Sequence, residues 1–527
     1  MLHLLEIVAT LVGAYLIKVI LTHRKLPAPL PPGPRRKPLI GNLLDLPPSG
    51  GLDWVHWHKF KEQYGPISST RVLGETFIII NEAQIAVELL EKRSAIHSSR
   101  PQGQFNHMSG YSDVTSAMAY TDTLKVHRKL LHKQVGSVNS VARFNRVQEA
   151  EVGRFMLRSL DAPQDLIAHI RKLAGGVILK VAYGYNVERD GRDPFVEIAN
   201  DSVDKFGKSV TPGMWLVDFI PALKYIPAWL PGGGFHQTAK EFRVAADTIS
   251  AKPYAFVLDQ MSRNAHVPSF LSELFERNGI PEPGTEQETT FKWSAATLYG
   301  AGSDTTVSTL GSFFLALALF PEVQKKAQEE IDRVVGTDRL PVSADRENLP
   351  YIQAVVKEAF RWHPVVPMGL VHQSTEEDTW GGYYIPKGSQ ILPNIWAFLH
   401  DPATYPDPGA FKPERFLETE DHRPERDPHF LAFGFGRRVC PGRTIADATA
   451  YITIAQSLAV FNFAKPIRDG KEVELKPAFL PGVISHPAPY EISIKPRKKQ
   501  HEALIRAVET KYRWEKSHAE ELNRVAS

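Results

Sequence analysis

The 527-residue chain is 43% hydrophobic and 23% charged, the balance of an ordinary globular protein with a sizeable core. A formal net charge of +3 makes no electrostatic case for nucleic acid, and a single cysteine excludes an intramolecular disulfide framework while remaining compatible with a reducing compartment. Length alone allows about two to four domains, yet no Ser/Gly-rich linker or internal repeat interrupts residues 39–497, so one large domain is expected there.

Residues 4–21 are mostly apolar and near the minimum length for a bilayer span, with Glu6 and Lys18 inside the run. Lys18 lies close to one end, where its stem can reach the interface and lower its insertion penalty. No basic stretch precedes the run and no convincing small-residue cleavage site is present, which favours an anchor (1–22) over a signal peptide. His23, Arg24 and Lys25, with Arg35, Arg36 and Lys37 beyond, place the bulk of the chain on the cytosolic side. The prolines at 27, 29, 31, 32 and 34 give residues 23–38 the character of a stiff, extended, basic hinge.

Lys125, His127, Arg128, Lys129, His132 and Lys133 form a basic run, either a solvated helix face or a docking surface for an acidic protein. Gly207-Lys-Ser209 ends like a phosphate-binding loop, but Ser202 stands where its first glycine belongs. Residues 215–231 are aromatic and proline-rich; core and membrane-dipping surface are both open readings.

Residues 290–320 read as one long helix ending before Pro321, with Ala301-Gly-Ser-Asp-Thr-Thr306 at its middle. Mid-helix glycine costs about 1 kcal/mol relative to alanine, so Gly300 and Gly302 are expected to make room for something. Ser and Thr there either bond back to preceding carbonyls while Asp304 faces water, or serve a site. Glu358 and Arg361 are three residues apart on one face of a helix over 351–362, by itself an ordinary surface pair. Cys440 lies in Phe433-Gly-Phe-Gly-Arg-Arg-Val-Cys-Pro-Gly442, just before an amphipathic helix with Pro441 suited to its first position. That helix terminus favours a thiolate, although a lone cysteine is also a common buried small hydrophobe. Gly434-Phe-Gly436 does not open a dinucleotide fingerprint, because the third position is Val439. From 498 to 527 the chain is a charged tail: Glu502/Arg506 and Glu509/Arg513 are i,i+4 pairs and Leu504, Val508 and Tyr512 line one face, giving a short amphipathic helix expected to be a solvated appendage.

The cysteine segment resembles the haem-binding signature of the cytochrome P450 family, Phe-x-x-Gly-x-Arg-x-Cys-x-Gly, with Phe433, Gly436, Arg438, Cys440 and Gly442 in the fixed places. The resemblance implies a mainly α fold, a helical bundle with small β-sheets, in which haem b lies between the long helix and the Cys440 loop. It makes Cys440 the axial thiolate on iron, a ligand that favours O–O cleavage, pairs Arg438 with a propionate and sets Phe433 beside the sulfur. Asp304 and Thr305 take the family's proton-relay positions. Glu358 and Arg361, with Arg415 of Phe411-Lys-Pro-Glu-Arg-Phe416, resemble a structural Glu-Arg-Arg cluster that locks the haem loop. Arg128 and His372 are the further cations expected at the propionates, with departures at Leu124, where relatives have Trp, and Val371, where many have Pro.

By family position the substrate pocket takes Met108, Thr297, Gly300, Val366, Met368, Val483 and Ile484, all but Thr297 apolar or lacking a side chain. The implied activity is insertion of one oxygen atom of O2 into a lipophilic molecule, by hydroxylation or epoxidation. A non-catalytic haem sensor or carrier and an O2-independent isomerase are the alternatives, both disfavoured by the acid–threonine pair. No flavin or nicotinamide fold is legible, so electrons are expected from an NADPH-dependent flavoprotein reductase, with cytochrome b5 as a further donor, at the endoplasmic reticulum membrane. Gly482-Val-Ile-Ser-His-Pro487 resembles the fungal branch that includes the O-methylsterigmatocystin oxidoreductases, which points to secondary-metabolite or xenobiotic oxidation.

Overall fold

The computed structural model describes residues 26–524, together with Gly13. The anchor expected over 1–22 therefore lies outside the described residues, apart from Gly13. The longer helices are α1 Asp53–Tyr64, α2 Asp122–Val135, α3 Asn145–Asp161, α4 Leu166–Tyr183, α5 Pro194–Val210, α6 Phe235–Ser262, α7 Glu286–Leu319, α8 Pro321–Val334, α9 Pro350–Trp362, α10 Arg443–Val460 and α11 Lys499–Lys511. The mainly α architecture expected from the sequence is what is found. A four-stranded sheet in the order Ile67–Val72, Glu75–Ile80, Gln390–Pro393, His372–Gln373 and three two-stranded sheets complete it.

Helix α7 is the axis of the molecule. The Thr285 side chain caps it by accepting from the Glu288 amide, and Glu288 accepts in turn from the Gly284 amide, so the helix begins earlier than residue 290. Pro321 at the start of α8 ends it, and the two helices meet at 102°. Because α7 is covered by α2, α4, α5 and α6, it is apolar nearly all round. Gly302 has a packing reason: a Cβ there would lie 2.6 Å from Cγ1 of Ile178 on α4. The room it makes is taken by the neighbouring helix.

Among the described residues no single helix is long and apolar enough to cross a membrane. The proline segment is laid against the sheet: Ser69 donates from Oγ to the Pro31 carbonyl at 2.6 Å and from its amide to Pro32 at 2.8 Å, and the Tyr384 amide donates to Pro29 at 2.8 Å. Residues 215–231 divide between the two open readings. Trp215 stacks on Phe105 at 3.5 Å and Val217 is buried, whereas Tyr225 is 78% and Trp229 80% exposed.

The tail is not the solvated appendage expected. Ile505 and Val508 of α11 belong to the main core cluster, and a Cβ on Gly153 would meet Val508 at 2.5 Å, so α11 packs tightly on α3. Beyond it Arg154 and Arg189 lie over the Trp514 ring, 4.8 and 5.0 Å from its centroid, and the His518 amide donates to the Asn186 carbonyl at 3.1 Å. Glu509 reaches Arg189 at 2.8 Å instead of pairing along the helix with Arg513. Of the stripe expected, Val508 and Tyr512 face the core, while Ile505 takes the place read for Leu504, and the fold has given this face a partner.

Candidate active site

Cys440 sits in a loop that leads into α10, whose N-cap is Gly442 and whose first residue is Arg443. Pro441 therefore precedes the helix instead of occupying its first position. The Cys440 amide donates to the Phe433 carbonyl at 2.8 Å, closing the loop on itself. Gly436 has φ +52°, and a Cβ there would come within 2.4 Å of the Leu90 carbonyl, so only glycine permits this approach. Phe433 packs on Phe360 and His429, with ring centroids 5.1 and 5.6 Å away. Burial pushes the Cys440 thiol above its ordinary pKa, while the Gly442 and Arg443 amides and the Arg128 guanidinium pull it down. Desolvation wins over the helix terminus, so the helix alone does not supply the thiolate; bonding to a metal removes the proton outright.

Arg438 of the same loop donates to the carbonyls of Ser98 at 2.6 Å, Met118 at 2.6 Å and Thr115 at 3.4 Å, and Arg128 of α2 donates to Val439 at 2.8 Å. A third cation joins them. Arg100, which carries no signal in the sequence beyond preceding a proline, donates to Leu370 and Val371, both at 2.7 Å, and to Ser116 at 3.1 Å. Burial, then the charges of Arg438 and Arg128, hold Arg100 well below the usual guanidinium range; burial, then Arg128, pushes Arg438 down to about 10. None of the three has a carboxylate partner among the described residues. Buried cations without counter-charge are costly unless a ligand completes them, and three guanidiniums beside a thiol fit a dianionic haem whose iron takes the sulfur.

His372 is buried, with Nδ1 2.7 Å from the His97 carbonyl, and burial followed by the Arg100 charge drives its pKa far down. In the protein by itself it is a neutral imidazole beside this cluster, and Arg100 is a further cation there. The basic run divides by face. Lys125, Lys129, His132 and Lys133 are exposed, His127 is buried and pushed down to about 4 by desolvation, and Leu124 is fully buried.

The middle of α7 carries a distinct stripe. Gly300, Ser303 and Val307 are buried, whereas Thr297, Ala301, Gly302, Asp304, Thr305 and Thr306 are not, with Thr297, Ala301, Asp304 and Thr305 at the i, i+4, i+7 and i+8 spacing of one helix face. Thr305 donates from Oγ1 to the Ala301 carbonyl at 2.5 Å, and Asp304 Oδ2 lies 3.1 Å from His486 Nε2. Both of the readings open for this segment therefore hold in part: the threonines bond back, and the acid meets a partner instead of bulk water. Thr297 shares a hydrogen bond with Thr115 at 3.2 Å. Of the other pocket candidates, Met108 lies against the cluster of Phe105, Trp293 and Ala296, Val483 lies near Gly207 of α5, and Met368 packs on the separate cluster of Trp57 and Phe77. The Val366 carbonyl accepts from the Gly369 amide at 2.9 Å, and Ile484 is partly buried.

The family description "Cytochrome P450" matches residues 31–494. The chain is a member of the cytochrome P450 family. It is 48% identical over 524 residues to the cytochrome P450 monooxygenase ppsD of Aspergillus oryzae, covering 99% of each chain. It is 43% identical over 503 residues to the multifunctional cytochrome P450 monooxygenase af510 of Aspergillus fumigatus, covering 94% of this chain and 93% of that one. To an O-methylsterigmatocystin oxidoreductase of Aspergillus flavus it is 42% identical over 514 residues, 98% and 96% of the two chains, as the C-terminal motif suggested. This P450 is thus an oxidoreductase of the haem-thiolate monooxygenase class.

Two polar clusters fasten the segments that precede the Cys440 loop of the P450. Glu358 accepts from Arg361 Nε at 2.7 Å, Arg361 Nη2 at 2.9 Å, the Lys412 amide at 2.7 Å and Arg415 Nε at 3.2 Å. The arginines hold the carbonyls of Leu399, Pro406 and Ala410, so the cluster fastens the segment upstream of the Cys440 loop and not the loop itself. Closer to Phe433, His429 lies between Asp427 at 2.8 Å and Asp447 at 3.0 Å. Burial opposes its charge, yet the two carboxylates raise His429 from 6.5 to about 9. A raised histidine contributes stability fully below about pH 6.5 that is lost as pH climbs through about 9. At about 1.4 kcal/mol per unit this amounts to roughly 3 kcal/mol. The thermal unfolding temperature of the holoprotein is therefore expected to fall steeply between pH 7 and 10 in wild type, with His429→Gln flattening that alkaline limb; an unchanged alkaline limb would refute the assignment.

Proposed function

We propose that this P450 inserts one oxygen atom of O2 into a C–H bond or double bond of a lipophilic small molecule of secondary metabolism. The observation that carries the reading is the acid–hydroxyl pair Asp304 and Thr305 on a stretch of α7 that, with Thr297, Ala301, Gly302 and Thr306, its neighbours leave partly open. The names of its relatives, monooxygenases and an oxidoreductase of O-methylsterigmatocystin, support the substrate class. Haem b held by Cys440 and by Arg100, Arg128 and Arg438, with His372 beside them, supplies the reductive activation of O2.

What this chain adds is placement and protons. Thr305 Oγ1, already donating to Ala301, keeps lone pairs free to hold one water on the open face of α7, and Asp304 Oδ passes protons to it. Met108, Val366, Val483 and Ile484 exclude other water and orient an apolar substrate. A passive haem carrier has no use for this pair. Exposed Lys125, Lys129, His132 and Lys133 suit an acidic NADPH-dependent flavoprotein reductase or cytochrome b5. Residency at the endoplasmic reticulum membrane is supported by the apolar run at 4–21 with its basic flank. Exposed Leu44, Met214, Ile220 and Trp229 add to it, since Gly213 abuts Leu46 and Phe219 packs on Phe77, placing these two segments side by side.

The test is a screen of lipophilic compounds for spectral displacement, then product formed per NADPH consumed in a reconstituted membrane system. Thr305→Ala is expected to keep haem content and substrate binding while product per NADPH falls at least about tenfold, with hydrogen peroxide formed instead. Replacement water sets that lower bound against the about 10²–10⁴-fold typical of a positioned acid–base group. Wild-type coupling in Thr305→Ala and Asp304→Asn would remove the relay role, and no turnover across the screen would favour a carrier.

A further inference from the structure

His486 belongs to the loop whose Val483 and Ile484 face the substrate pocket in the reading above, yet nothing in its sequence position assigns it a task. The loop is fastened on both sides of it. Ser308 of α7, one turn beyond Asp304, donates to the Ser485 carbonyl; the Ser485 amide donates to Val365 at 2.9 Å, and Ser485 Oγ donates to Leu480 at 2.8 Å. His363 at the end of α9 lies 2.8 Å from Ser485 Oγ, and Tyr490 donates from its hydroxyl to the Gly311 carbonyl of α7 at 2.6 Å. Between these ties His486 Nε2 stands 3.1 Å from Asp304 Oδ2, the two side chains 24% and 16% exposed.

A carboxylate only accepts, so Nε2 is the donor. No Lys or Arg pairs with Asp304 among the described residues, and its neighbours one turn away on α7 are Gly300 and Ser308, the latter committed to Ser485. The orientation of the acid is therefore set from outside its own helix. His363 is engaged with Ser485 Oγ at 2.8 Å, and burial, then the charges of His400 and His486, pushes its pKa far down, so it does not compete for the carboxylate.

We propose that His486 is a positioning residue for oxygen activation: its Nε2 orients the Asp304 carboxylate beside Thr305, so the substrate-facing loop and the proton-delivering acid are seated as one unit. This rests on the relay reading of Asp304 and Thr305. A loop displaced by a misfitting molecule moves the acid with it, and turnover without a proper substrate is diverted to peroxide.

The test uses the full-length holoenzyme and begins with a readout that needs no substrate, the stretching band of carbon monoxide bound to the reduced protein, which senses polar groups on the α7 side. His486→Phe is expected to shift and broaden that band and to lower product per NADPH roughly tenfold, the weight of one hydrogen bond to a charged group, with haem content and substrate affinity unchanged. His486→Asn, too short to reach, should behave alike if the phenylalanine variant folds poorly, and His486→Gln, which keeps a donor at that position, should restore most of both signals. Asp304→Asn combined with His486→Phe should match Asp304→Asn alone, because the two act through one group. An unchanged band in both His486→Phe and His486→Asn, with Asp304→Asn altered, overturns the role of His486 and leaves the relay standing. Additive effects, or no rescue by glutamine, overturn it as well. An unchanged band and coupling in Asp304→Asn defeat the relay reading first and this proposal with it.

Discussion

Cys440→His is expected to retain part of its haem and to lose the red-shifted absorption of the reduced carbon monoxide complex, with oxygenation near background. The two outcomes separate because different groups are responsible. Arg100, Arg128 and Arg438 are untouched by the substitution, and their buried, uncompensated charge still favours a dianionic ligand. The sulfur alone supplies the electron density that favours O–O cleavage, and an imidazole supplies less. The replacement must also fit a loop closed by the Cys440 amide on Phe433 and by the approach of Gly436 to Leu90, so the haem yield is expected to drop as well. Reduced-minus-oxidised spectra with carbon monoxide, normalised to extracted haem, make the measurement. Survival of the thiolate band would show that another residue ligates the iron.

Glu358→Gln should be the most destabilising single polar change in the molecule. Glu358 and Arg361 are 0% exposed and Arg415 3%, and the carboxylate accepts four hydrogen bonds. Neutralising it leaves Arg361 with no carboxylate among the described residues and Arg415 with Glu425 alone, at 3.1 Å, and breaking a buried pair from one side costs about 3–5 kcal/mol. Against a total stability of roughly 5–15 kcal/mol that is a large share. The yield of haem-loaded protein should fall steeply and its melting temperature with it. Replacing all three residues by apolar ones is not expected to rescue, since the carbonyls of Leu399, Pro406 and Ala410 and the amide of Lys412 would lose their partners. Wild-type melting of Glu358→Gln would show that the cluster does not hold the segment below the haem loop.

What was legible in the chain was whatever depends on residues close together in sequence. The signature around Cys440 is ten residues long, the helix through Asp304 is marked by its apolar run and by Pro321, and the Glu358/Arg361 spacing is one turn of helix. The resemblance that these local motifs bear to the cytochrome P450 family implied the mainly α class and the haem-thiolate chemistry, and the amphipathic character of α11 was visible as a period. Burial and partners were not. Whether Glu358 and Arg361 form a surface pair or a core lock depends on Arg415, 54 residues beyond Arg361, arriving beside them. The state of Cys440 depends on how much low-dielectric protein surrounds it, which opposes the helix terminus. Residues 215–231 divided because Trp215 stacks on Phe105, Asp218 accepts from the Phe105 amide and Phe219 packs on Phe77, whereas Tyr225 and Trp229 stay exposed. Arg100 has no local mark beyond the proline after it and His486 none beyond its place in the 482–487 motif: Arg100 is held by the carbonyl of Val371, 271 residues away, and His486 meets Asp304 across 182 residues. A side chain's type and period are written in sequence, but its charge, exposure and orientation are set by the groups that folding places around it, and those come from everywhere in the chain.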